Sequence, residues 1–307
     1  MELLKNKIIM IRFVAILLLL FLNVRDNFSQ DLDSLLNTLS PTGSPVPVLG
    51  TFKGTRIING QSVEIPASKD LTFIIAHRFG QVNRGIYDFF GLDNSSNRFG
   101  FEYGLKDRLG LAIGRNSYEK TYDGSVKVKI LRQQAGNLTI PFTVSYYSAV
   151  FIKTLKWEIP DRDNIFSSRL SYVHQLLVAR KFSQKLTLQI SPSFVHKNLV
   201  EWEQDQNNIF AAGLGGRYKI SRKISFNGEY FYLLPGQTAD DFKNSLSFGF
   251  DFETGGHVFQ LQFSNSTSMF ERGFITETTG DWTNGGIYFG FNLYRVFPLN
   301  RNRKNIL

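Results

Sequence analysis

Cysteine is missing altogether from the 307 residues. That excludes a disulfide framework, a cysteine-built metal site, a thiol nucleophile and a lipid-bearing N-terminal cysteine. Methionine is scarce, three residues against 29 phenylalanines. The four histidines, His77, His174, His196 and His257, have no metal-ligand spacing, so neither metal nor cofactor is expected. Beyond residue 22 no apolar run is long enough to cross a bilayer as a helix. Any membrane contact must therefore come from strands, and only a closed barrel satisfies strand backbone in lipid. Charge is plentiful but dispersed. The net +9 comes from 35 Lys and Arg against 26 Asp and Glu, with no dense run beyond Arg301-Asn302-Arg303-Lys304. A nucleic-acid partner needs a basic face, and none is written here.

What is present begins with a leader. Lys5, Lys7 and Arg12 precede the apolar run Phe13 to Leu22, which at about ten residues is too short for a spanning helix and right for a signal-peptide core. Residues 1–29 therefore read as a signal peptide and the mature protein as exported. Residues 30–68 mix turn-rich sequence with short apolar runs and lack clean alternation. A periplasmic arm, a luminal plug and an extra edge strand all remain open for Gly50 to Pro66. Residues 69–297 form the patterned body, and 298–307 a basic periplasmic tail.

The pattern is clearest in Ser245 to Ser264. Leu246, Phe248, Phe250 and Phe252 alternate with Ser245, Ser247, Gly249 and Asp251; after Glu253-Thr254-Gly255-Gly256, Phe259, Leu261 and Phe263 alternate with Gln260, Gln262 and Ser264. Period-2 alternation divides each set between the faces of a strand, and the Gly-Gly turn makes a hairpin. One face is apolar and the other small and polar. That is how a transmembrane barrel strand reads, lipid outside and lumen inside. Twelve such segments follow one another from Leu71 to Leu293. Their connections alternate between long (80–96, 152–163, 197–206, 234–242, 265–284) and short (105–108, 132–137, 181–184, 220–223, 253–256), with 117–122 of medium length. Short periplasmic turns, long surface loops and an even strand count specify an all-β, 12-stranded antiparallel outer-membrane barrel.

Several runs carry a resemblance. Gly54-Thr55-Arg56-Ile57-Ile58-Asn59-Gly60-Gln61-Ser62-Val63-Glu64, His77-Arg78-Phe79-Gly80, Phe101 to Leu109, Gly114-Arg115, Tyr122-Asp123-Gly124 and Leu131-Arg132-Gln133 together resemble an uncharacterised family of outer-membrane β-barrels from Bacteroidetes-type bacteria. The resemblance implies the fold and the compartment, and it brings no activity with it.

Parity points Arg78, Arg98, Lys127, Lys129, Arg169, Arg217 and Lys219 into the lumen, against Glu102, Glu229 and Asp251. The set reads either as a cross-strand ion-pair network or as a basic lining that favours anions. His77, His174 and His257 point outward, and His196 falls near the extracellular rim. Outer-membrane phospholipases use an outward Ser-His pair with an Asn partner, but no outward serine stands two residues from these histidines. Trp157, Trp202 and Trp282 lie in long loops, as a partner or glycan surface or as packing over the barrel mouth. Two roles follow: a passive channel or transport component for small polar or anionic solutes, or a non-conducting structural barrel that docks a periplasmic or surface protein. A membrane-embedded hydrolase is a distant third. An inward arginine, at Ser247 for example, is tolerated if the lumen has room.

Overall fold

Alternating sequence becomes wall. In the computed structural model, which describes residues 46–48, 50–135, 139–157, 160–161, 163–200, 202–238, 242–254 and 256–299, twelve antiparallel strands close into a barrel. They are β1 (Asp70–Gln81), β2 (Ser95–Lys106), β3 (Leu109–Asn116), β4 (Tyr122–Leu131), β5 (Thr143–Ile152) and β6 (Leu170–Lys181), followed by β7 (Leu186–Lys197), β8 (Asn208–Lys219), β9 (Ile224–Leu233), β10 (Ser245–Thr254), β11 (His257–Ser264) and β12 (Tyr288–Pro298). Every strand pairs with its sequence neighbour, and β12 returns to β1 with Leu293 opposite Ile75 and Pro298 opposite Asp70. Closure leaves no unpaired edge, which a strand in lipid cannot tolerate. The leader and residues 300–307 of the tail lie outside the described residues.

The outward face is the apolar parity. Phe101, Ile113, Leu214, Phe250 and Phe263 are exposed, and rings stack along the wall, as between Phe73 and Phe101 at 4.8 Å and between His77 and Phe291 at 5.0 Å. This is the lipid face. Phe250→Arg, midway along β10, should cost about 2–4 kcal/mol if it sits near the bilayer midplane, measured as a lower midpoint for folding into vesicles. Cost-free insertion of that arginine would mean that the apolar face is not in lipid.

One connection departs from the pattern. The link between β4 and β5 runs over 132–142, longer than the expected short turn. Pro141 has no N–H for the ladder, and β5 starts only at Thr143. Within this link Gln134–Ala135 pairs with Val46–Pro47, so the N-terminal segment enters along the rim of the short turns.

The middle of the interior is occupied. Residues 51–63 run into the lumen, where Ile57, Ile58, Asn59, Gln61, Ser62 and Val63 are all buried. From the opposite rim the β11–β12 loop also turns inward, and its short helix α1 (Glu271–Thr276) is buried at every position. Phe270, Phe274 and Ile275 of this loop join Tyr147, Phe151, Leu177, Val195, Ile209 and Phe231 of the wall in one apolar cluster. Ser247, fully buried and bonded to Ser264 Oγ at 2.9 Å, has no space for a larger side chain. The condition for tolerating arginine there is not met.

Candidate functional site: the occupied lumen

The inserted segment folds as a tight hairpin with Asn59-Gly60 at its tip, a pair suited to sharp turns. Ile57 N donates to Gly60 O at 2.8 Å and Ser62 N to Thr55 O at 2.9 Å. Small residues allow it to come this close to the wall. A Cβ on Gly60 would lie 2.8 Å from the Phe231 ring, and one on Gly215 would lie 2.3 Å from Ile57 Cδ1.

The wall grips the hairpin mainly by its backbone. The Glu229 carboxylate accepts from the N–H groups of Ile58, Asn59 and Gly60 at 3.1, 2.8 and 3.0 Å. Lys127 Nζ donates to the carbonyls of Thr55, Ser62 and Glu64 at 2.9, 3.0 and 3.0 Å. Gln189 takes Val63 N at 2.9 Å and gives to Gln61 O at 2.7 Å. Gln260 and Asn292 donate to the carbonyls of Ile57 and Ile58, and Lys129 pairs with Glu64 at 2.8 Å. A buried backbone group without a partner is costly, so the polar parity of the strands is what makes a threaded segment stable here.

The hairpin and the surface loop meet at Glu271. Its carboxylate, fully buried, accepts from Arg56 Nη1 at 2.8 Å, Gln61 Nε2 at 2.8 Å and Tyr147 OH at 3.1 Å. Nearer the rim of the long loops Arg272 pairs with Glu119 and, at 3.1 Å, with Glu277. Lys197 holds Glu277 at 2.7 Å and Lys153 holds Glu119 at 2.6 Å. Burial opposes charge on Glu277, but Arg272, Lys197 and Lys153 outweigh it and keep that carboxyl below its usual range. Such a group stabilises the fold above the ordinary carboxylate pKa and loses its contribution as pH falls through the depressed value. Proteolysis within 265–284 should therefore rise only below about pH 4, with Glu277→Gln already sensitive at neutral pH. Identical cleavage of both proteins across the range would contradict this pairing. At the end of the short turns a cavity of about 480 Å³ lies beneath the hairpin, lined in part by Lys53, Glu64, Arg222, Glu253 and Tyr294.

Of the residues that parity points inward, Arg78, Arg98, Glu102, Lys127, Lys129, Arg217, Glu229 and Asp251 are buried within the barrel. Arg98 pairs with Asp123, Arg217 with Glu253 at 2.8 Å, Asp251 accepts from Gln260 Nε2 at 2.6 Å, and Arg78 donates to Asn59 Oδ1. Two residues lie elsewhere. Arg169 is in the rim loop, bonded to the carbonyls of Lys153 and Leu155 and stacked over Trp157, because β6 begins one residue later. Lys219, half-buried, ends β8 at the rim of the short turns. Alternation does not extend to the inserts, so it says nothing of Arg56, Glu64, Glu271, Arg272 and Glu277; the Asn59-Gly60 pair is the sequence feature that marks the hairpin's turn. Among the tryptophans, Trp282 stacks on lipid-facing Phe248 at 4.8 Å and Trp202 is exposed.

The outward histidines form no hydrolytic set. His174 Nδ1 meets Tyr146 OH at 2.7 Å, and His196 Nδ1 meets Asn208 Oδ1 at 2.7 Å. Among the described residues no serine hydroxyl bonds to a histidine.

A family model for a membrane-bound β-barrel domain, DUF5777, matches residues 52–297. The chain belongs to that family. The match starts within the luminal hairpin, so the DUF5777 domain includes the insert as well as the wall, and the protein is membrane-bound. No curated protein matches the chain. Among solved structures it is similar to the NanC porin (10% identity, TM-score 0.45, covering 74% of this chain and 98% of that one). It is also similar to an outer-membrane channel from Pseudomonas putida F1 (14%, 0.41, 76% and 97%) and to outer-membrane phospholipase A from Escherichia coli (10%, 0.43, 75% and 91%). Likeness of this degree carries no activity over.

Proposed function

We propose that this DUF5777 barrel is a non-enzymatic transport component for small polar or anionic solutes, closed at rest by the 51–64 hairpin and the 265–284 loop. The observation that carries the reading is how the wall lysines are engaged. Among the described residues the ammonium groups of Lys127 and Lys129 hydrogen-bond to the hairpin alone, so its withdrawal bares two cations on one face of β4. Fixed positive charge in a low-dielectric wall concentrates anions. The hairpin's attachment is largely polar, a kind of contact that water can replace more readily than buried apolar surface.

A non-conducting docking barrel is the second reading, favoured by closure from both rims at Glu271. Planar-bilayer recording separates the two. The parent protein should be nearly silent, and the same chain lacking residues 51–66 should give resolved, anion-preferring steps. Tethering the rim pair Lys53–Glu253, 2.8 Å apart, through two introduced cysteines and a short crosslinker should keep the full-length protein shut under voltage. A folded deletion variant that passes no current would favour the docking barrel.

A further inference from the structure

The β1–β2 connection is a finger that neither the lumen nor the proposed transport uses. Ile86 is 82% exposed, Tyr87 92%, Phe89 58% and Phe90 51%. Those values exceed the exposure of lipid-facing Phe250, at 41%, although the finger lies in a surface loop where water would otherwise meet it. Apolar side chains grouped this way on an exterior mark a contact surface. The backbone is held to a definite shape. Phe89 and Phe90 both have left-handed backbone, φ 47° and 56°, a region that bulky residues seldom occupy without an overriding constraint. The finger also folds back on its own strand: a Cβ on Gly91 would lie 2.5 Å from the Gly80 carbonyl.

Its base adjoins the lipid face. Val82 N donates to Ile287 O at 2.9 Å and Asn83 N to Gly285 O at 3.2 Å, which extends the β1–β12 seam past the wall. On that seam Phe79 stacks with Phe289 at 5.7 Å, Phe289 meets Phe263 at 5.2 Å, and Phe263 meets Phe248, on which Trp282 lies. Aromatic rings at the ends of barrel strands mark the headgroup level of the bilayer. The exposed finger continues this band, and the exposed Arg84 at its start is a cation suited to lipid phosphate.

We propose that residues 84–92 are a membrane-seated finger whose Ile86, Tyr87, Phe89 and Phe90 enter the headgroup–acyl boundary of the outer leaflet beside the β12–β1 seam, with Arg84 at phosphate depth. The contact is independent of whether the lumen conducts. An apolar loop face set beside an embedded wall gains hydrophobic contact without a partner protein.

The cysteine-free chain suits a direct test. Tyr87→Cys and Phe90→Cys, with Glu203→Cys on another surface loop as the aqueous reference, would each be labelled with an environment-sensitive nitrobenzoxadiazole. The proteins would be reconstituted into phosphatidylcholine–phosphatidylglycerol vesicles, with folding confirmed by heat-modifiable electrophoretic migration. Bromine-substituted lipid should quench labels 87 and 90 at least about twofold more than label 203, and iodide should do the reverse, as expected of residues at the boundary. Equal iodide quenching at all three positions would overturn the proposal. So would protection that grows with protein density together with label self-quenching, since the finger would then be covered by a second copy. A Tyr87→Ser, Phe90→Ser variant guards against a label that drives insertion by itself. Carrying the label at Ile86→Cys, it should lose most of the lipid quenching seen for Ile86→Cys alone, and undiminished quenching would count against the finger.

Discussion

Glu271→Ala should loosen both ends of the lumen at once. The substitution leaves Arg56, Gln61 and Tyr147 facing a site without its acceptor; Arg56 keeps its Nη1 bond to Asn59 O at 2.7 Å, but the carboxylate still near it is Glu102, 3.9 Å from Nε. Removing one partner of a buried ion pair costs about 3–5 kcal/mol, because a desolvated charge stays behind. Here the cost falls on two segments that enter from opposite rims. Limited proteolysis should become faster within 46–66 and within 265–284, and the thermal midpoint should fall. Joint replacement by Arg56→Met and Glu271→Leu should recover much of the loss, since apolar groups of similar size need no counter-charge. If Glu271→Ala exposes the surface loop and leaves the hairpin as protected as before, the two inserts are independent.

The wall was legible because lipid on one side and polar contacts on the other impose strict alternation. Phe248, Phe250, Leu261 and Phe263 went outward, and Ser247, Gln260 and Gln262 inward, as their parity required. Strand order followed from connection length, since adjacent antiparallel strands need little chain between them. The exception is 132–142, where Pro141 and the pairing with Val46–Pro47 lengthen a turn on the short-turn rim. Arg169 was misplaced for a similar reason. A one-residue error at a strand start moves a side chain from the wall to the rim.

The filling of the lumen was written less plainly. Segments such as Tyr146 to Ile152 and Leu176 to Ala179 are apolar on both parities, which is expected of a strand covered on both faces. The inward members Tyr147, Phe151 and Leu177 receive Phe270 and Phe274 of the loop, and Phe151 meets Phe270 at 5.3 Å. That loss of alternation in β5 and β6 was the available sign of an apolar insert. The hairpin could not announce itself in this way, because it is held by backbone groups that every sequence possesses. Only its irregular, glycine-bearing composition left a luminal plug among the open alternatives.

Lys127→Glu with Lys129→Glu should reverse the ion preference of the opened barrel. In the full-length chain the pair of changes sets carboxylates against the carbonyls of Thr55, Ser62 and Glu64 and against the Glu64 side chain, all of which now accept from ammonium groups. Two buried contacts turn from attraction to repulsion, each on the scale of about 3–5 kcal/mol for an uncompensated buried charge. The hairpin should leave the lumen, and current should appear without any deletion. Selectivity is best read where the hairpin is already gone, so that its departure does not confound the result. In the chain lacking 51–66, the parent wall should prefer anions. The double change alters the wall charge by four units through two sites, which field focusing in a low-dielectric lumen makes strong enough to invert the reversal potential. Conduction with an unchanged anion preference would show that Lys127 and Lys129 do not face the solute path, and that their role is only to hold the hairpin in place.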